Sequence, residues 1–103
     1  MLNAYDRTMV TELCRVWRFL SAADDLNTAV LTGAGTRSFS TGLGVDDTRT
    51  SGAASPSLDE DGRVNLATKD VGVFTPVVVA VNGFCCAGGW HFVNDGDVIL
   101  CSS

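Results

Sequence analysis

Pro76-Val77-Val78-Val79-Ala80-Val81-Asn82-Gly83-Phe84-Cys85-Cys86-Ala87-Gly88-Gly89-Trp90-His91 changes character twice along its length. Val77 to Val81 is β-branched and uncharged, the composition of a parallel strand covered on both faces. Asn82-Gly83 is a turn dipeptide. Small residues then open a short helix, predicted over 87–94, with Trp90 read as a packing residue. A strand that enters a helix through a tight glycine turn is the repeating unit of an α/β fold. At such a helix start the backbone N–H groups stand unshielded, and the helix dipole adds partial positive charge.

Working outward, Val98-Ile99-Leu100-Cys101 reads as a second buried strand and Ala29-Val30-Leu31-Thr32 as a third. Before them, Asp6 is placed to cap a helix. Met9, Val10, Leu13, Val16, Trp17 and Leu20 recur at spacings of three and four and mark its apolar face. Asp24-Asp25 and Asn27 end it. Ser38 to Gly44 is extended and closes in glycines, and residues 65–71 suggest another short helix. Residues 46–62 carry Ser, Thr, Gly, Pro56 and the acidic run Asp59-Glu60-Asp61, the make-up of a surface loop. The order of elements predicts an α/β fold with right-handed crossovers.

At 103 residues the chain is expected to form a single domain. Hydrophobic residues make up 46% and charged residues 18%, which excludes intrinsic disorder. No apolar run approaches the ~20 residues of a membrane span. A net charge of −5 without a basic cluster argues against nucleic acid and anionic membranes as partners. From Val71 to Ser103 only Asp95 and Asp97 are charged, so this third reads as the interior of something larger. The four cysteines, Cys14, Cys85, Cys86 and Cys101, form no C-x-x-C pair and have no histidine at zinc spacing. They are expected to be buried thiols in a reducing compartment, and the absence of a secretory pattern after Met1 points to the cytoplasm.

Two places could carry chemistry. Gly33-Ala34-Gly35 follows a strand and has the first two glycines of a dinucleotide fingerprint. Ser38 replaces the third, and an extended piece follows where a helix should start, so a plain turn is the better reading. The other place is a pair of junctions, Phe39-Ser40-Thr41-Gly42-Leu43-Gly44 and Asn82 to His91. Two N–H groups converging on one oxygen would form an oxyanion hole, each donor contributing about 3–4 kcal/mol. Composition alone does not bring the two junctions together.

These junctions and their order resemble the crotonase superfamily, the enoyl-CoA hydratase/isomerase family. The matching stretches are Leu2-Asn3-Ala4, the helix from Met9 to Leu20, Ala29 to Gly35, Phe39 to Leu43, and Pro76 to Gly89 continuing to Asp97-Val98-Ile99. Nearly the whole chain is covered, with 46–62 least alike. The resemblance implies a superhelix of ββα units of which this chain holds a part. The family's first strands would precede Leu2, and its second catalytic acid and oligomer-forming helices would follow Ser103.

The resemblance also implies a lyase or isomerase of fatty acid metabolism, acting on an acyl-CoA or enoyl-CoA thioester through an enolate. The thioester is substrate, and no separate cofactor is expected. The N–H groups of Leu43 and Gly88 would form the oxyanion hole. Leu2, Ala4, Thr41, Gly42, Val45 and Cys86 would line the CoA and acyl path. His91 stands where the hydratases carry a catalytic Glu, one helical turn from Gly88, and is the candidate acid/base. Gly44 stands where the family often has Asp, and Asp97 matches a family acid with an expected structural role. Family members form trimers or hexamers. A non-catalytic acyl-CoA-binding or subunit-interface fragment is the alternative.

Overall fold

A computed structural model of the chain describes residues 2–44 and 66–103. The expected loop at 46–62, Val45 and Asn65 lie outside the described residues. Asp6 caps helix α1, Arg7–Ala22, by accepting the Met9 N–H at 2.8 Å. Val10, Trp17 and Leu20 are buried on one stripe, with Met9 and Leu13 packed at its margin. Val16, expected on that face, is 51% exposed because it falls at the rim of the stripe. The helix closes through Ala23, whose N–H donates to Leu20 O, before the aspartates are reached.

The five strands among the described residues follow the predicted order, with one addition. β1 (Ala29–Thr32), β3 (Val77–Val81) and β5 (Val98–Cys101) form a parallel sheet in the order β1-β3-β5. Ala29 pairs with Val77 and Val78 with Val98, so β3 is the central strand. Val77, Val79 and Val81 are buried while Val78 and Ala80 are half-buried, close to the double coverage expected. β2 (Ser38–Ser40) pairs in parallel with β4 (Phe84–Cys85) in a second, two-stranded sheet. With only two residues, β4 is too short for period or propensity to register. Parallel neighbours cannot be joined by a hairpin. The chain therefore crosses from β3 to β5 through β4 and α2, Gly89–Asn94, which is shorter at its start than the predicted 87–94.

The main core gathers Tyr5, Val10, Phe39, Leu66, Val79 and Phe92 among others. Phe92 meets Tyr5 and Phe39 edge-on, with ring centroids 6.0 and 6.4 Å apart. A second cluster holds Trp17, Leu20 and Val73, and the Trp17 indole N–H donates to Leu66 O at 3.1 Å. Of the helix expected over 65–71, the described residues 66–71 form only a 3-10 turn at Lys69–Val71. Its entry is held by side chains: Asp70 takes the Ala67 N–H, and Asp95 takes the Lys69 N–H and the Thr68 hydroxyl.

Three burial expectations need correction. β5 is exposed along its whole length, since it is the edge of its sheet and its ladder protects only the side facing β3. Cys86 and Cys101 are exposed and Cys14 and Cys85 half-buried, because Cys101 shares that edge and Cys86 lies in the turn after β4. Trp90, expected to pack, is 53% exposed on the outer side of α2, opposite the core face of Phe92 and Val93.

Asp97 stands at the entrance of β5, the structural position expected of it. Its carboxylate accepts the Val77 N–H at 2.8 Å and pairs with Lys69 at 3.1 Å. The Val77 N–H first, and Lys69 second, hold its pKa below the usual carboxylate value. A depressed folded pKa contributes stability at pH above the ordinary carboxyl range, and this is lost as pH falls through the folded value. Urea midpoints should therefore drop as pH falls below about 4. Asp97→Asn should be less stable than the parent near neutrality and lose less on acidification, as measured by circular dichroism.

Candidate active site

The site starts from Tyr5. Its N–H donates to Gly42 O at 2.8 Å and its carbonyl accepts from Gly44 N at 2.9 Å, an isolated parallel bridge with Leu43. In that pattern the bonds to Tyr5 come from the residues flanking Leu43, so the Leu43 N–H faces the other way. Among the described residues it has no acceptor. Gly42 turns the chain there with φ +89, and a Cβ at this position would lie 2.8 Å from Gly88 N and 3.2 Å from Cys86 O. The two glycine junctions therefore touch, which composition alone could not establish.

The second junction is set by β4 and the turn after it. Cys86 N–H donates to Ser40 O at 3.0 Å, continuing the β2–β4 pairing into the turn. Ala87 adopts φ 47, a left-handed conformation that costs an L-residue about 1–2 kcal/mol. The N–H groups of Gly89, Trp90 and His91 then bond back to Cys86, Ala87 and Gly88. The Gly88 N–H, passed over by this series, has no acceptor among the described residues. Two unused backbone donors thus stand on adjoining loops.

His91 Nε2 lies 2.7 Å from Asp70 Oδ2, with both side chains partly open to solvent. A carboxylate only accepts, so Nε2 carries the hydrogen and Nδ1 is left for another partner. Sequence reading picked out His91 but not Asp70. The two residues belong to separate elements, and no motif joins them.

The remaining predicted residues divide. Ala4 lines a cavity of about 430 Å³ with Asn3, Met9, Leu31, Phe39 and Phe92. Asn3 fixes the segment beside it, donating to Ala34 O and Ser38 O at 2.9 and 2.7 Å. Leu2 is exposed and Cys86 is exposed in its turn. Thr41 and Gly42 adjoin the bridge, while Leu43, Gly88 and His91 lie outside the lining of that cavity. Val45 is outside the described residues. The Gly33–Gly35 turn is held by the Asn82 side chain. Asn82 accepts from Gly33 N at 3.1 Å and donates to Gly33 O and Gly35 O at 2.8 Å. A strand follows it, so the dinucleotide reading has no support. No group of three or more His, Cys, Asp and Glu residues placed to hold a metal occurs among the described residues.

A fold of parallel strands is what the crotonase resemblance implies, and comparison with known proteins places the chain in that family. The chain belongs to the enoyl-CoA hydratase/isomerase family, whose model matches residues 1–103. It is 30% identical over 98% of its length to mevalonyl-coenzyme A hydratase of Beauveria bassiana, covering 39% of that protein. It is 32% identical over 97% of its length to carnitinyl-CoA dehydratase of Escherichia coli K12, covering 38% of that protein. A crystal structure of a probable enoyl-CoA hydratase/isomerase from Mycobacterium abscessus superposes with a TM-score of 0.77 at 29% identity, over 96% of this chain and 36% of that one. The chain spans about two fifths of the length of the curated relatives it matches.

Ala87 offers a direct test of the geometry that exposes the Gly88 N–H. Glycine carries no penalty at a left-handed φ. Ala87→Gly should raise unfolding free energy by about 1 kcal/mol in chemical denaturation. A loss of stability would show that residue 87 does not hold this conformation.

Proposed function

We propose that this chain binds an acyl-CoA thioester and stabilises its enolate with the N–H groups of Leu43 and Gly88. The observation that carries this reading is that both N–H groups are without an acceptor among the described residues and stand on touching loops. The thioester oxygen gains negative charge when a proton leaves the α-carbon or a nucleophile adds at the β-carbon. Fixed donors at that oxygen are worth about 2.7–4 kcal/mol each, because they meet the charge without reorganising. Leu2, Ala4, Thr41, Gly42 and Cys86 line the CoA and acyl path. His91, oriented by its contact with Asp70, moves the proton through Nδ1.

The hydratase and dehydratase names of the relatives favour addition or elimination of water over isomerisation. The reading includes a cytoplasmic setting and assembly into a homo-oligomer, the latter supported by the exposed apolar edge at β5. That edge also favours the second reading, a subunit-interface or acyl-CoA-binding piece without turnover of its own.

Crotonyl-CoA hydration tests the proposal. Any Cβ at residue 88 overlaps the Tyr5 hydroxyl, so proline alone would mix a steric effect with the lost donor. Gly88→Ala has the same overlap but keeps its N–H. Gly88→Pro should fall a further ~10²–10³-fold in kcat below Gly88→Ala, while Trp17→Phe keeps parental kcat. Equal rates in the Ala and Pro variants would remove the Gly88 donor from the mechanism. Acyl-CoA binding without turnover would favour the second reading.

A further inference from the structure

Tyr5 touches both halves of the proposed hole. Its backbone bridges Leu43, and its phenol lies against Gly88, where a Cβ would stand 3.0 Å from Cζ and overlap Oη. The residue is only 5% exposed, and its ring is held edge-on by Phe92. Among the described residues its hydroxyl makes no hydrogen bond, and no interaction of Tyr5 is left unaccounted for. Yet no sealed side-chain polar atom there lacks a partner. The Tyr5 oxygen must therefore reach open space beside Gly88.

Buried tyrosines usually find a partner for the O–H, since an unpaired one costs free energy that phenylalanine would avoid. This tyrosine sits among Phe39 and Phe92 and has none among the described residues. We propose that the Tyr5 O–H is a third donor to the thioester oxygen, beside the N–H groups of Leu43 and Gly88. The inference rests on the enolate reading and extends it to a three-donor site that favours thioesters able to form a full enolate. In that step the α C–H bond breaks and its proton passes to His91. The C–H electron pair becomes the new carbon–carbon π bond, and the carbonyl π pair moves onto oxygen. Tyr5 keeps its proton throughout. Burial raises its pKa above the ordinary phenol value, so it stays a donor at neutral pH.

The probe is acetoacetyl-CoA, whose enolate absorbs in the ultraviolet, titrated onto the full chain with CoA as control. The parent should form the enolate, and Tyr5→Phe should lower the enolate-to-keto ratio of the bound ligand at least ~10-fold, a hydrogen bond to a charged group being worth about 1.5–3 kcal/mol. CoA affinity should be unchanged and the thermal melt should not fall. Because Tyr5 is the only tyrosine in the sequence, ¹³C-tyrosine labelling gives a second readout that needs no variant. The Cζ resonance should move with acetoacetyl-CoA and stay still with CoA. An unchanged ratio in Tyr5→Phe, or a motionless Cζ resonance in the presence of enolate, would overturn the third donor and leave the two-donor hole intact. Absence of enolate in the parent would overturn the hole itself, and the third donor with it.

Discussion

The close approach of Gly42 to Gly88 is the constraint on which the rest of the site depends. A Cβ at residue 42 would press on Gly88 N, so no other residue lets the two loops meet at this distance. The approach is assembled from both sides. Tyr5 pins the first loop through its bridge with Leu43, and the β2–β4 pairing carries the second loop to the same place. Phe92, one turn beyond Gly88, anchors α2 in the core against Tyr5 and Phe39. Packing and hydrogen bonding thus converge on two donors that the fold itself does not use. Positioned donors of this kind need no reorganisation when charge appears, and this is where catalytic power of the proposed type originates.

Much of this was legible in the residues. The Val77–Val81 strand, the Asp6 cap, the strands at Ala29–Thr32 and Val98–Cys101, and the helix after Gly88 each carry a local signal that tertiary packing agrees with. The two glycine junctions could be picked out for the same reason. Their contact could not, because no periodicity or propensity encodes a meeting of residues so far apart in the chain. Asp70 beside His91 and the phenol of Tyr5 beside Gly88 escaped for this reason too. Each is an ordinary residue until the fold supplies its neighbour. The two-residue β4 escaped through its length.

Burial was read least well, and the reason is topological. Val98-Ile99-Leu100-Cys101 has the composition of an interior strand but occupies the edge of the β1-β3-β5 sheet. Hydrophobicity reports what a strand can bury and says nothing of which neighbour covers it. The opposite holds at Asp97. An acid within an apolar third of the sequence looks out of place, yet it joins the start of β3, the Lys69 turn and the entrance of β5. A single carboxylate there orders three segments that hold the strand leading into the second glycine junction.

The central claim is that the Leu43 and Gly88 N–H groups receive a thioester oxygen. Amide resonances report this directly, since an N–H that acquires a charged acceptor moves strongly downfield. In ¹⁵N-labelled chain, addition of acetoacetyl-CoA should shift the Leu43 and Gly88 amide protons together, and CoA without the acyl group should leave both in place. Saturation with acetoacetyl-CoA that moves neither resonance would contradict the account.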